Sequence, residues 1–432
     1  MILYFLFPIF YALCPMPYAL AATNWTQWRG PDRAANSATL PDSFDPPPVL
    51  LWEKQLEGDG ISGVVATEQV VIVADRDRLD TTDMFHCFDA RTGEEQWTFS
   101  YSAPGKIDPD YGSSPRATPL IHDNRLYTLG GFGHLHCVNP DDGKVLWDKN
   151  LPVRFSAKMP HWGYSCSPLF VPADPGVPGS KNKLIVQPGG VTAQLVALDS
   201  ENGGIVWQSS GEGKEAAYTS PICATFFGKT QIITYDQDTL GGYDCETGRR
   251  LWELKPPKRG DFNVPTPVVI GERLLLSTEN NGTRLYEFDT TGRIQPEPVA
   301  KNNDLSPDSA TAVFLKDTLY GICGSLFCLN RNTLDTEAVL DDDAFTDHAT
   351  LIAGKTLSGK KRLLVAGMNG DVVLIDVDEK TPKLAGRIPA KRVDATLLAH
   401  PAVVGDRLYV RSVTEIRCYQ MKANDQSGDF PR

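Results

Sequence analysis

Ten side chains of this sequence carry chemistry that a binding or catalytic site can use: Tyr111, Arg116, His161, Trp162, Tyr164, Tyr218, Asn263, Asp308, His348 and His400. They fall in comparable short stretches, "YGSSPRATP", "HWGYSCSP", "AAYTSP", "FNVPTP", "SPDSATA", "TDHATL" and "LLAHP", each leading into an apolar run. Arg116 is suited to pair with a carboxylate, Trp162 or Tyr164 to stack on a planar ring, and Asn263 with Asp308 to ligate calcium. The spacing of His161, His348 and His400 defines no metal site, and none is expected. No Gly-x-Ser-x-Gly, phosphate-cradling Gly-Lys or His-Glu-x-x-His element is present, so hydrolase, nucleotide and zinc-peptidase chemistry lack support. The same ten residues also suit a polar, hydrated rim that satisfies strand ends, and that reading is preferred to a catalytic one.

What would gather them is an internal repeat. The segment "HCFDARTGEEQW" (86–97) recurs as "HCVNPDDGKVLW" (136–147), "VALDSENGGIVW" (196–207) and "GYDCETGRRLW" (242–252). In each, an apolar strand ends at Asp or Asn, a glycine follows four residues later, and a tryptophan stands four beyond that. Asp89, Asn139, Asp199 and Asp244 can accept hydrogen bonds from the turn backbone, while Gly93, Gly143, Gly203 and Gly248 supply a positive φ. Trp97, Trp147, Trp207 and Trp252 then bury an apolar face against the next unit. Weaker copies at 285–294, 326–334, 372–380 and 416–420 bring the series to eight.

The Asp or Asn positions lie 41 to 60 residues apart, the length of a four-stranded propeller blade. Polar turns before apolar strands ("HDNRLYT", "GERLLL", "KDTLYG", "GDRLYV") and the Asn281-Gly282 and Asn369-Gly370 reversals supply the remaining strands. The last copy lacks its final strand, whereas "PVLLWEKQL" (48–56) has a strand and Trp52 with no partner of its own. The expected fold is therefore all-β: an eight-bladed β-propeller of four-stranded antiparallel blades, its ring closed by the N-terminal strand. In domain terms, 1–21 reads as a signal peptide, 22–47 as an extended N-terminal segment, 48–420 as the propeller and 421–432 as a polar tail.

Bulk properties agree. Hydrophobic residues at 41% and charged ones at 22% are ordinary for a folded domain, and 37 Gly with 32 Pro spread along the chain suit many short strands and reversals. A net charge of −12 would repel a phosphate backbone, so nucleic acid is not an expected partner. The apolar run 2–13, extended weakly to Leu20 and interrupted by Pro8, Pro15 and Pro17, is too short to span a bilayer, and Ala19-Leu20-Ala21 offers a cleavage site before Ala22. The expectation is an exported, periplasmic or extracytoplasmic, monomeric protein without a transmembrane anchor after cleavage. Eight of the nine cysteines would remain; Cys87, Cys137, Cys328 and Cys418 sit on repeated strand positions and read as packed thiols rather than disulfides. Asp75, Asp77, Asp80 and Asp83, interleaved with Arg76 and Arg78, read as a solvated hairpin loop, and Asp341 to Asp343 as an exposed one.

The x-D-x-x-T-G-x-x-x-W pattern resembles the repeat of PQQ-type quinoprotein dehydrogenases and of related non-enzymatic propellers, including the outer-membrane assembly lipoprotein propeller. The resemblance covers roughly residues 48–420, and "WTQWRGP" (25–31) is similar to the start of many bacterial envelope proteins with this repeat. It implies a propeller fold but does not by itself fix function. The adjacent cysteine pair often carried by the dehydrogenases is absent. The expected function is a non-catalytic, protein-interaction scaffold in the bacterial envelope, needing no cofactor and holding an envelope protein partner. Two alternatives stay open: a dehydrogenase using PQQ and calcium, with Asp308 as base and Arg116 as cofactor anchor, or carbohydrate or small-ligand binding at the rim.

Overall fold

The computed structural model describes residues 24–36, 38–58, 60–107, 114–211, 215–391 and 396–421. Eight antiparallel sheets follow one another along the chain, spanning 65–102, 120–150, 169–209, 222–254, 268–302, 313–340, 350–388 and 402–420. They are blades 1 to 8 of the expected propeller. Among the described residues the one α-helix is the short Leu151–Phe155.

Within a blade the inner strands are apolar on both faces and buried, as in Val372–Asp376, whereas the outermost alternate, as in Glu95–Ser102. That gradient is what radial packing demands, since inner strands touch neighbours on both sides and outer ones face solvent. The eighth blade contributes three strands of its own, and Val49–Gln55 pairs antiparallel with Glu415–Gln420 to complete it. Closure by the N-terminal strand thus removes the open edges that a ring of separate sheets would present.

The repeated turn works as its residue types require. Asp89 Oδ1 accepts from the backbone N–H of Arg91 and Thr92 at 2.9 and 2.8 Å, and Asp244 Oδ1 from Glu246 and Thr247 at 3.0 and 2.9 Å. Gly93, Gly143, Gly203 and Gly248 hold φ between 68° and 71°, left-handed values at which a Cβ would be strained. Each also lies on the tryptophan of the preceding blade: Trp52 under Gly93, Trp97 under Gly143, Trp147 under Gly203 and Trp207 under Gly248. Each indole N–H then donates to a turn carbonyl of that next blade, Trp97 to Pro140 at 2.9 Å and Trp207 to Cys245 at 3.1 Å. One side chain supplies both apolar burial and a satisfied donor at every such seam.

Later blades use other residues in that seat. In blade 7 the position is Gly386, and Phe44 from the N-terminal segment fills it, its backbone N–H bonded to Ala385 O at 3.0 Å. In blade 6 it is Ala338, opposite Cys328, and a cavity of about 100 Å³ remains at the seam with blade 7.

Cys87, Cys137, Cys328 and Cys418 are buried thiols, as expected, and the eight described cysteines form no disulfide. Burial pushes each of these four up to about 12. The run from Asp75 to Asp83 differs from the solvated loop expected of it. Asp77 faces solvent, but Asp75 and Asp83 are fully buried. Asp75 accepts the N–H of Glu57 and Gly58, and Asp83 takes Arg76 at 2.5 Å with the hydroxyls of Tyr101 and Ser114 at 3.0 Å. The two inward carboxylates sit on paired strands and face different cations, Asp83 with Arg76 and Asp75 with Arg411, His86 lying beside Asp75. Asp341 and Asp343 are exposed, while Asp342 pairs with Arg387 at 2.5 Å.

Candidate functional site

The N-terminal segment does more than reach the closing strand. Trp25 forms a β-bridge with Ala66 of blade 1, Thr26 O accepts from Ile121 of blade 2, and Trp28 Nε1 donates to Thr266 before blade 5 at 3.0 Å. Arg33 donates to Ser167 and Pro168 before blade 3. Ala38–Thr39 then adds a parallel strand to Thr350–Lys355, the innermost strand of blade 7. The segment therefore crosses the propeller axis and binds innermost strands or their lead-ins around the ring.

Arg29 is its centre. The guanidinium is 2% exposed and donates to Thr311 O, Ala312 O, Ala34 O and Arg33 O at 2.8 to 3.2 Å. Desolvation pulls its pKa down to about 9, so it stays charged at neutral pH. Four carbonyl dipoles solvate the buried charge, and Asp32 favours it electrostatically.

Trp28 and Arg29 form the floor of a cavity of about 420 Å³ at one mouth of the channel. On the opposite side of the segment lies a second space of about 350 Å³, lined by Gln27, Arg33, His122 and Phe170. The first is the functional candidate, because the lead-in stretches converge there. Of the ten predicted residues, Arg116, Trp162, Tyr218, Asp308, His348 and His400 line it. His161 stands beside it, edge-on to Trp162 at 5.1 Å between ring centroids.

Two expectations are corrected. Tyr164 is buried at 1% and donates to Pro188 O at 3.0 Å, so its ring packs within the wall instead of presenting a stacking face. Asn263, 2% exposed with φ 54°, donates to Gln237 O, and its side chain is not on the lining. In the first stretch Trp162 and Ser165 face the mouth, and in the second Phe262 and Val264 do, the chain turning through left-handed backbone at Gly163 and at Asn263 itself. Tyr111 lies outside the described residues.

Lining residues that sequence reasoning missed include Trp28, Arg29, Ile61, Phe262, Ser309 and Thr350. Phe262 was detectable from its place beside Asn263, but nothing periodic marks Trp28 or Arg29. The aromatic side of the lining is a connected group: Trp162 meets Phe262 edge-on at 4.8 Å and Tyr218 at 5.3 Å, and the Tyr218 hydroxyl accepts the Trp162 backbone N–H. Opposite them, Ser309 Oγ and His348 Nδ1 are 2.7 Å apart, with Asp308 adjacent. Burial holds His348 below its ordinary value despite Asp308 and Asp347 nearby. His400, bonded through Nδ1 to Pro401 O, stacks on Trp25 and meets Trp28 edge-on, and burial with the charge of Arg29 pulls it down to about 3.

A calcium-bound tricarboxylic quinone would ask for clustered carboxylate oxygens and several cations. The described lining supplies one carboxylate, Asp308, and of its two arginines Arg29 is committed to backbone carbonyls. Among the described residues no three of His, Cys, Asp and Glu converge on a point. The donor set does not fit that group, and with Asn263 turned away the proposed Asn263 and Asp308 calcium pair does not form.

Comparison with known proteins follows the same lines. A family described as outer membrane protein assembly factor BamB matches residues 82–336. The assembly factor BamB of Shewanella oneidensis is 22% identical over 357 residues, covering 70% of this chain and 83% of that protein. The crystal structure of BamB from Moraxella catarrhalis aligns with a TM-score of 0.57 and 17% identity, over 88% of this chain and 99% of that one. A quinohemoprotein alcohol dehydrogenase of Pseudomonas putida aligns with a TM-score of 0.61 and 12% identity, over 95% and 82%. Architecture alone therefore does not separate assembly factor from dehydrogenase. With the family match covering more than half of its length, this chain belongs to the PQQ-like propeller family described as outer membrane protein assembly factor BamB.

Proposed function

We propose that this protein is a non-catalytic propeller of the bacterial envelope that serves outer-membrane protein assembly by holding protein partners. The observation that carries this reading is the occupied axis: Trp28 and Arg29 fill the centre of the ring, where Arg29 spends its hydrogen bonds on the fold. Beyond the mouth cavity, what remains to act is outer surface. Similarity to BamB across 83% of that protein's length supports the same reading. Export to the periplasm, a signal peptide over residues 1–21 and a monomeric state belong to the proposal. No helix among the described residues is long and apolar enough to cross a membrane.

Cross-linking in living cells followed by purification of the tagged full chain tests it. Reproducible, stoichiometric recovery of outer-membrane assembly components is expected. Recovery of the chain alone, together with PQQ- and calcium-dependent dye reduction abolished by Asp308→Asn, would reverse the assignment in favour of the dehydrogenase.

A further inference from the structure

The channel-mouth cavity has a composition that scaffolding by outer surfaces does not explain. It is a dead end, closed below by Trp28 and Arg29, and about 420 Å³ is the size of a small-ligand pocket. One wall is aromatic, formed by Trp162, Tyr218 and Phe262, and Phe262 remains 51% exposed. A buried core would have covered that ring. The facing wall carries hydroxyls and charge: Ser309, Thr350, Asp308 and His348, with Arg116 also on the lining.

Polar atoms buried in this lining without a hydrogen-bond partner among the described residues include Trp162 Nε1 and Thr350 Oγ1. Leaving such a group unpaired costs about 1–3 kcal/mol, so both favour an occupant that is itself rich in donors and acceptors. An aromatic wall facing a hydroxyl and carboxylate wall matches one chemical class closely. A pyranose has an apolar C–H face that packs on the electron-rich face of an indole or phenyl ring, and its rim carries hydroxyls that both donate and accept. A closed floor admits the end of a glycan and excludes an internal stretch.

We propose that this cavity binds a terminal pyranose unit, stacked between the Trp162 and Phe262 side and the Asp308 and Ser309 side, with Arg116 placed to pair with a sugar carboxylate. The site is separate from partner holding, and its failure leaves the assembly reading untouched.

Calorimetric titration of the purified full chain with D-glucuronate and D-glucose tests this, with PQQ plus calcium as a third ligand. One-site binding of both sugars at millimolar or tighter Kd is expected, with glucuronate favoured. Phe262→Ala, a change at an exposed ring, and Trp162→Ala should each weaken both sugars by about tenfold. Arg116→Gln should abolish the preference for glucuronate while leaving glucose binding in place. Absence of saturable heat from either sugar, or binding unchanged in both aromatic variants, overturns the proposal. So does heat from PQQ and calcium with none from sugar.

Discussion

Trp52 of the closing strand lies so close beneath Gly93 of blade 1 that a Cβ on Gly93 would fall 2.6 Å from indole Cδ2. Its Nε1 donates to Ala90 O, which also accepts from Tyr409 of blade 8 at 3.1 Å. First and last blades are thus clamped by the contact that the sequence repeats at successive seams. Trp52→Ala should destabilise the protein by about 3–5 kcal/mol, through lost burial plus a cavity. Gly93→Ala should cost more than Gly179→Ala, since Gly179 has a similar φ of 79° and nothing within 4 Å. Chemical denaturation of the three variants measures this; equal effects at the two glycines would show that backbone conformation alone decides.

Phe44 predicts that the N-terminal segment is integral to the ring. It is 3% exposed and fills the blade 7 seat beside Gly386. Phe44→Ala should cost about 3–5 kcal/mol, and Ala338→Phe, facing the empty seat of blade 6, should stabilise by about 1 kcal/mol if the seam accepts the ring. Opposite shifts in urea midpoint are the expected pair of results.

At the axis, Arg29→Met should be severely destabilising. It would leave Thr311 O and Ala312 O in buried surroundings without their donor, at about 1–3 kcal/mol for each carbonyl. Arg29→Lys should recover only part of the loss, because one ammonium cannot span carbonyls that a planar fork reaches from two sides. Thermal melts of the two variants give the comparison; full recovery by lysine would mean that charge matters more than geometry.

Buried histidines set an acid limit. His400 is held down to about 3 and His136 to about 4, from ordinary values near 6.5, in each case chiefly by burial. Between those values the unfolded chain binds protons that the folded chain refuses, so stability falls as pH drops below about 6.5 and goes on falling towards 4 and 3. Each histidine contributes a slope of up to about 1.4 kcal/mol per pH unit in that window. His400→Gln should flatten the dependence between pH 6 and 4, read from urea midpoints at successive pH values; an unchanged slope would remove His400 from the explanation.

The ring was legible because its information is local and repeated. An Asp, a glycine and a tryptophan four residues apart each have one task in one turn, and Asp89, Gly93 and Trp97 perform it as their types require. The unpaired Trp52 strand pointed to closure for the same reason. Blades 5 to 7 were fainter since other residues, such as Phe44, fill the tryptophan seat from a distance. The mouth was half legible. Lead-in stretches located it, but the choice between Tyr164 and Trp162, or Asn263 and Phe262, turns on local backbone turns, left-handed at Gly163 and Asn263, that no periodicity encodes. Trp28 and Arg29 were invisible as site residues because their partners, Thr266, Thr311 and Ala312, lie more than two hundred residues away.

Assembly of outer-membrane proteins is the central claim, and the abundance of β-barrel proteins in outer-membrane fractions tests it most directly. A strain lacking this chain should show depleted barrels, restored equally by the natural protein and by Asp308→Asn. Unchanged barrel abundance in that strain would contradict the account.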